Sequence, residues 1–206
     1  MPVYSGRVRR LAPLFVAALA LLGTGGTAAI AAGVPPFDGP RIVHPAVTPD
    51  FALRDQNGRL VRLSAQRGKV VVVTFLYTHC PDLCPLTAIH IDQALDRLGP
   101  RRTGVTVLAV SVDPFGDTPA AVRRFVRSHR LSSQFHYLTG PKQALLRVWR
   151  LYDVKSIAVG GTKTPDHTLY VLLLDRRGTS RVLFDATATS AAMAHDIRLL
   201  LAQHRS

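Results

Sequence analysis

The sequence predicts an α/β domain: a central, mostly parallel sheet between flanking helices, with a β-hairpin in front. Three observations carry this reading. Residues 70–76 and 105–112 are near-continuous apolar runs rich in β-branched residues, the pattern of strands covered on both faces. Each run is followed by residues with helical spacing. Late in the chain, Arg176-Arg177-Gly178 turns one apolar run back onto another.

The elements follow in order. Residues 51–63 read as two short strands joined by an Asn57-Gly58 turn, a dipeptide that tolerates the left-handed backbone of a tight hairpin. Residues 70–76 form the first central strand. Residues 86–98 have helical spacing, with Ile89, Leu95 and Leu98 set against Asp92, Asp96 and Arg97. Residues 105–112 are the second buried strand. Thr118-Pro119 starts a helix, with the threonine as N-cap and the proline at the first helical position; it runs to about residue 129. Residues 142–151 are another helix. Residues 168–174 are a third strand, paired through the Arg-Arg-Gly turn with residues 180–184. An amphipathic helix at 190–203 closes the chain. Strands alternating with helices give a parallel core, and the late hairpin gives an antiparallel edge. A thioredoxin-like three-layer fold is the simplest architecture with that order.

The chain divides into three parts. Arg7, Arg9 and Arg10 precede an uncharged run at 11–22, and small residues follow, with an A-x-A-like site at Ala29-Ile30-Ala31. Residues 1–32 therefore read as a signal peptide or a membrane anchor, about 20 apolar residues being enough to span a bilayer. Either way the domain is exported to the periplasmic side. It is soluble, or tethered to the inner membrane by residues 11–32 with its positive charges left inside. Residues 33–49 hold Pro35, Pro36, Pro40, Pro45 and Pro49 and read as a linker. Residues 50–206 form the domain.

Composition narrows the chemistry. With 26 Lys and Arg against 13 Asp, the formal net charge is +13. The arginines are scattered and no nucleic-acid-binding motif accompanies them, so they read as solvated surface and no nucleic-acid partner is expected. A basic surface favours an acidic protein or an anionic membrane. There is no Glu, which excludes paired-Glu hydrolase and HExxH chemistry. Met1 and Met193 are the two methionines, which excludes a metal site built on thioethers.

The two cysteines, Cys80 and Cys84, lie where the first buried strand gives way to a helix. Ligands gather at the carboxyl ends of such strands. Three intervening residues make too short a loop for a disulfide to stabilise much by chain entropy, so a functional pair is expected. The helix N-terminus predicts that both sulfurs are acidified. Such a pair can close a redox-active disulfide or hold a metal, and the spacing does not choose. Two cysteines and one histidine fall short of the four ligands of structural zinc. Two soft thiolates and one imidazole suit Cu(I), which accepts three ligands.

Three segments together are more specific. Cys80-Pro-Asp-Leu-Cys84-Pro85, the stretch from Ser111 through Asp113-Pro-Phe-Gly-Asp117 to Pro119, and Asp166-His167-Thr168 resemble the signature segments of the Sco/SenC family, in its order and spacing, over about residues 47–203. The resemblance implies a thioredoxin-like copper protein with an N-terminal anchor or export signal. It implies one copper per monomer, Cu(I) with Cu(II) also admitted, held by Cys80, Cys84 and His167. It further implies delivery to cytochrome c oxidase subunit II or a similar acceptor, with an upstream copper donor or thiol reductant, and membrane attachment if the N-terminus is uncleaved. Asp82 matches a family position near the site, as an outer-shell acceptor or a turn residue. Two positions depart from the pattern: Gly116 stands where many members carry Arg, and Leu76 where Gly is common.

Other polar residues have plainer readings. His79 faces solvent, His90 lies on the helix surface, and His44 is uninformative. Asp113 and Asp117 shape a turn and the helix entry. Asp166 orients His167 or caps a turn. Trp149 and Tyr152 pack, and Pro165 stands where thioredoxin folds often place a cis-proline. The competing function is a thiol-disulfide oxidoreductase that uses the cysteine pair without His167. A peroxidase of the same fold comes third, because no arginine adjoins the thiols in sequence.

Overall fold

The computed structural model describes residues 36–157 and 166–203. Residues 1–32 and Pro165, with the readings placed on them, lie outside the described residues. The elements are β1 (Ala52–Arg54), β2 (Leu60–Arg62), β3 (Val70–Leu76), α1 (Leu83–Leu98), β4 (Val105–Ser111), α2 (Pro119–Ser128), β5 (Phe135–Leu138), α3 (Lys142–Leu151), β6 (Ser156–Ile157), β7 (Asp166–His167), β8 (Tyr170–Leu174), β9 (Ser180–Asp185) and α4 (Ser190–Ala202).

Five strands form the central sheet in the order β5-β4-β3-β8-β9. β3 pairs in parallel with β4, and β4 with β5; β8 runs antiparallel to both β3 and β9. Every residue of β3 and β4 is buried, Thr74, Thr106 and Ser111 included, as near-continuous apolar runs require of strands covered on both faces. The β-hairpin forms as expected, with Leu53 opposite Val61 and Gly58 at φ 78° in the turn. Asp55 braces that turn, its Oδ1 accepting from the N–H groups of Asn57 and Arg59, both at 2.9 Å. Thr118 caps α2 by accepting from Ala121 N at 3.2 Å, with Pro119 opening the helix.

Three features differ from the sequence reading, the first being that the strand expected at 168–174 begins at Tyr170, behind a separate short pair of β6 and β7. β5 was not expected; Phe135 and Tyr137 point into the core from the outer edge of the parallel set. Residues 36–49, read as a linker, lie along β9. Arg41 bridges Val182 and Val47 bridges Thr179, both antiparallel. Ile42 N donates to Arg181 O, Leu183 N to Pro40 O and Ser180 N to Ala46 O, each at 3.0 Å. The prolines forbid a continuous strand, but the residues between them still pair with an edge that would otherwise be open. Buried Asp196 of α4 ties the start of this strap, accepting from Asp38 N at 2.8 Å and Gly39 N at 3.0 Å. Gly39 lies against the Phe184 ring, where a Cβ would come within 2.4 Å.

Candidate metal-binding and thiol site

The site forms at the carboxyl end of β3. The chain leaves the sheet after Leu76, turns through Thr78 and His79 to Cys80, and enters α1 at Leu83. Sequence spacing alone starts this helix at residue 86. It starts earlier because Pro85 sits in the first turn, where its missing N–H has no intrahelical partner to lose. Cys80 is therefore a half-exposed loop residue, and Cys84 is fully buried in the first helical turn at 0% exposure. Neither forms a disulfide, and Cys84 N donates to Cys80 Sγ at 3.3 Å.

The two sulfurs are not equally acidic, which corrects the expectation of two acidified thiols. Burial raises the Cys80 thiol, but the backbone N–H groups of Cys84 and Asp82, with further bonds from the Cys84 and Tyr77 side chains, outweigh it and hold Cys80 below the ordinary thiol value. For Cys84 burial dominates and pushes the thiol far up. The Tyr77 backbone bond opposes this, while Cys80 and the Asp117 carboxylate add to the rise. The helix N-terminus acts on both, yet it outweighs desolvation only at the sulfur that still meets solvent.

This asymmetry has a measurable result. In the reduced, metal-free protein, iodoacetamide is expected to modify Cys80 and leave Cys84 largely untouched at about pH 8. The Cys80 rate should plateau below the ~8.5 midpoint of a free cysteine, because the thiolate is the nucleophile. Peptide mass spectrometry across pH checks this; equal labelling of the two cysteines would contradict the assignment.

Asp117 braces the loop from behind. It is 5% exposed. Its Oδ1 accepts from Thr78 N at 2.8 Å, and its Oδ2 from Ser111 Oγ at 2.6 Å and Tyr137 Oη at 3.1 Å. One carboxylate thus joins the loop after β3, the end of β4 and the core-facing side of β5. Burial holds it above the ordinary carboxylate range against these bonds. The sequence reading gave Asp117 only a turn and helix entry, and it did not single out Tyr77. An acid between a glycine and a helix cap carries no sign that folding will seal it under a loop.

The remaining sequence candidates fall as follows. Asp82 gives its backbone N–H to the Cys80 sulfur; its side chain is exposed and makes no hydrogen bond among the described residues. Asp113 closes its turn by accepting from Phe115 N at 3.0 Å and Gly116 N at 2.8 Å. His79 is exposed, as expected, and its ring nitrogen gathers with carboxylate oxygens of Asp113 and Asp117 within 4.8 Å. His90 is half-buried and meets Ala188 O at 3.2 Å, a packing role. Trp149 donates from Nε1 to Ser111 O at 2.9 Å, tying α3 to β4. The backbone of Asp166 and His167 forms β7, paired with β6, while their side chains lie outside the described residues. β8 is antiparallel to β3 with Val171 opposite Thr74, so the backbone of β7 and the Cys80 loop flank the same end of the sheet.

The SCO1/SenC family model matches residues 40–202. The chain belongs to the SCO1/SenC family. It is 27% identical over 134 residues to a SCO2-like protein of Rickettsia conorii, a match covering 63% of this chain and 64% of the relative. It is 30% identical over 165 residues to the mitochondrial SCO2 homolog of Bos taurus, covering 76% of this chain and 60% of the relative. The chain thus spans less than two thirds of the length of these curated relatives. The solved structure of Bradyrhizobium japonicum ScoI with copper bound matches with a TM-score of 0.66 at 32% identity, covering 74% of this chain and 98% of that one. The Sco fold of these neighbours is the thioredoxin-like one expected from the order of elements.

Proposed function

We propose that this Sco-family chain is a copper metallochaperone. It takes one copper as cargo on Cys80, Cys84 and His167 and hands it to cytochrome c oxidase subunit II or a similar acceptor. The observation that carries this is the sulfur pair: a half-exposed, acidified thiol bonded to the N–H of a fully buried one, in a chain 32% identical to a copper-bound ScoI.

The donor set fits the ion. Two sulfurs supply the soft ligands that Cu(I) prefers, and with a third ligand they complete a low coordination number. Two thiolates and Cu(I) sum to one negative charge, which the α1 N-terminus and the basic surface offset. Cu(II) is admitted by the same donors. Cys84, whose proton burial holds in the metal-free protein, gives that proton up when the metal binds, so loading releases protons and strengthens as pH rises. We place the domain on the periplasmic side, with residues 1–32 as export signal or anchor. An upstream copper donor or thiol reductant supplies the reduced, loaded form. Among the described residues no helix is long and apolar enough to cross a membrane.

The asymmetry of the thiols favours a second reading, a thiol-disulfide oxidoreductase in which Cys80 attacks and Cys84 resolves. His167 separates the two. His167→Ala is expected to abolish copper transfer, measured with Cu(I)-loaded protein, and to spare disulfide exchange with a model disulfide. If the variant held and passed copper like the wild type, the metal assignment would fail.

A further inference from the structure

The end of the sheet away from the thiol pair gathers four cations. Arg67 and Lys69 lead into β3, and Arg176 and Arg177 lie in the turn between β8 and β9. The backbone holds the two segments together, with Gly68 N donating to Arg176 O at 2.8 Å. The Arg67 guanidinium lies against Gly178, where it leaves no room for a Cβ.

Like charges this close repel, and the nearby carboxylates are committed elsewhere. Asp175 is 4% exposed; its Oδ1 accepts from Arg177 N and Thr179 N, and its Oδ2 pairs with Arg181 at 3.2 Å. Asp50 pairs with Arg62 at 3.1 Å and accepts from Ser64 N and Oγ. Among the described residues none of Arg67, Lys69, Arg176 and Arg177 has an ion-pair partner. Arg176 Nε is also buried without a hydrogen-bond partner among the described residues. A buried charged donor is costly to leave unpaired. An oxyanion bridging these side chains satisfies it, and the arginine fork fits the oxygens of a phosphate group.

The strap adds an apolar neighbour. Thr48 donates from both N and Oγ1 to Gly178 O at 3.0 Å, which sets Val47, 64% exposed, beside the turn. Phosphate-binding cations next to an exposed aliphatic group match the headgroup layer of a bilayer, where anionic phosphates overlie acyl chains. The tether is long enough to agree. Arg41 stands opposite Val182 and Val47 opposite Thr179, so the head of the strap is about 10 Å from the turn. The few residues between 32 and the strap span that distance when extended.

We infer that this turn is a docking surface for anionic lipid headgroups, with Arg67, Arg176 and Arg177 holding phosphate oxygens and Val47 entering the interface. The inference goes beyond the chaperone reading, and its choice of a bilayer rests on the proposed export and anchoring by residues 1–32. β3 runs from beside Lys69 to Leu76, and the Cys80 loop follows it. Docking therefore holds the thiol loop about 20 Å farther out, at the pole facing away from the lipid.

The test uses the full chain carrying Val47→Trp, with the wild type, whose single Trp149 is 5% exposed, as the blank. Each is titrated with phosphatidylcholine vesicles made with and without phosphatidylglycerol. A blue shift of the new indole is expected on the anionic vesicles alone, and it should vanish at about 1 M salt, where screening is nearly complete. Arg67→Gln, Arg176→Gln and Arg177→Gln should each raise the lipid concentration for half the shift about 5-fold, the scale of one basic residue at a charged surface. Arg123→Gln, on α2, should leave it unchanged. A thermal melt of each variant confirms its fold. No shift on anionic vesicles, an equal shift on neutral ones, or arginine variants that behave like the parent would overturn the docking. So would protection of these arginines from phenylglyoxal by inorganic phosphate or polyglutamate without protection by vesicles, which gives the cluster to a free oxyanion or an acidic protein. Sedimentation with neutral vesicles reads the anchor separately: its absence, beside a shift on anionic ones, removes the anchor and upholds the docking.

Discussion

Cys84→Ala is expected to leave a folded protein that no longer holds tightly bound copper. The buried sulfur is the half of the pair that solvent cannot replace: it is fully enclosed, so no water can take its place at the ion without opening the first turn of α1. Loss of outer-shell partners typically costs metal sites 10–100-fold in affinity, and loss of a direct ligand should exceed about 100-fold. The fold should lose far less, about 1 kcal/mol for removing one small buried group. Competition with a Cu(I) chelator, beside a thermal melt of the metal-free protein, separates the two effects. One tightly bound copper surviving in Cys84→Ala would remove this residue from the site.

The second large effect is expected at a residue that bonds no metal. Asp117→Ala strips the acceptor from Thr78 N, Ser111 Oγ and Tyr137 Oη, all in or near the core. A buried donor left unpaired costs about 1–3 kcal/mol. Ser111 can turn to Asp113 O, which it already reaches at 3.3 Å, so the orphaned groups are mainly two. The carboxylate's own burial is costly, as its raised pKa shows, and its removal returns part of that. The net expectation is about 2–4 kcal/mol, or roughly 4–16 °C in Tm for a chain of this size. Copper affinity should fall as well, because Thr78 leads directly into His79 and Cys80. Asp117→Asn keeps an acceptor for Thr78 and should recover part of both losses. A melt within about 1 °C of wild type would show that Asp117 does not brace the loop.

The parts of this molecule that were legible in its sequence are those whose cause is local. The valine run of β3 and the apolar run of β4 announce burial by themselves. Asn57-Gly58 announces its turn, and Thr118-Pro119 its helix start. β5 was not legible because four residues, one of them His136, are too few to show a period; it exists because β4 offers an edge for Phe135 and Tyr137 to pack on. The early start of α1 was hidden by Pro85, which reads as a breaker until its place in the first turn is known. In the site, the cysteine pair was evident and the difference between its members was not, because their unequal burial is set by how α1 docks on the sheet. Asp117 was invisible as a brace for the same reason. His167 carried no local signal and came into view only through the resemblance of its segment.

The strap sets where this protein can be cut. A fragment begun at Asp50 would look complete by its element pattern. It would nonetheless bare the edge of β9, with the N–H groups of Ser180 and Leu183 and the carbonyl of Arg181 open to another chain, and leave the Asp196 carboxylate buried without Asp38 and Gly39. Open edges invite strand addition between molecules. Aggregation of such a truncation would reflect a missing edge cover and not an unstable core, and the shortest well-behaved form of the domain begins ahead of Asp38.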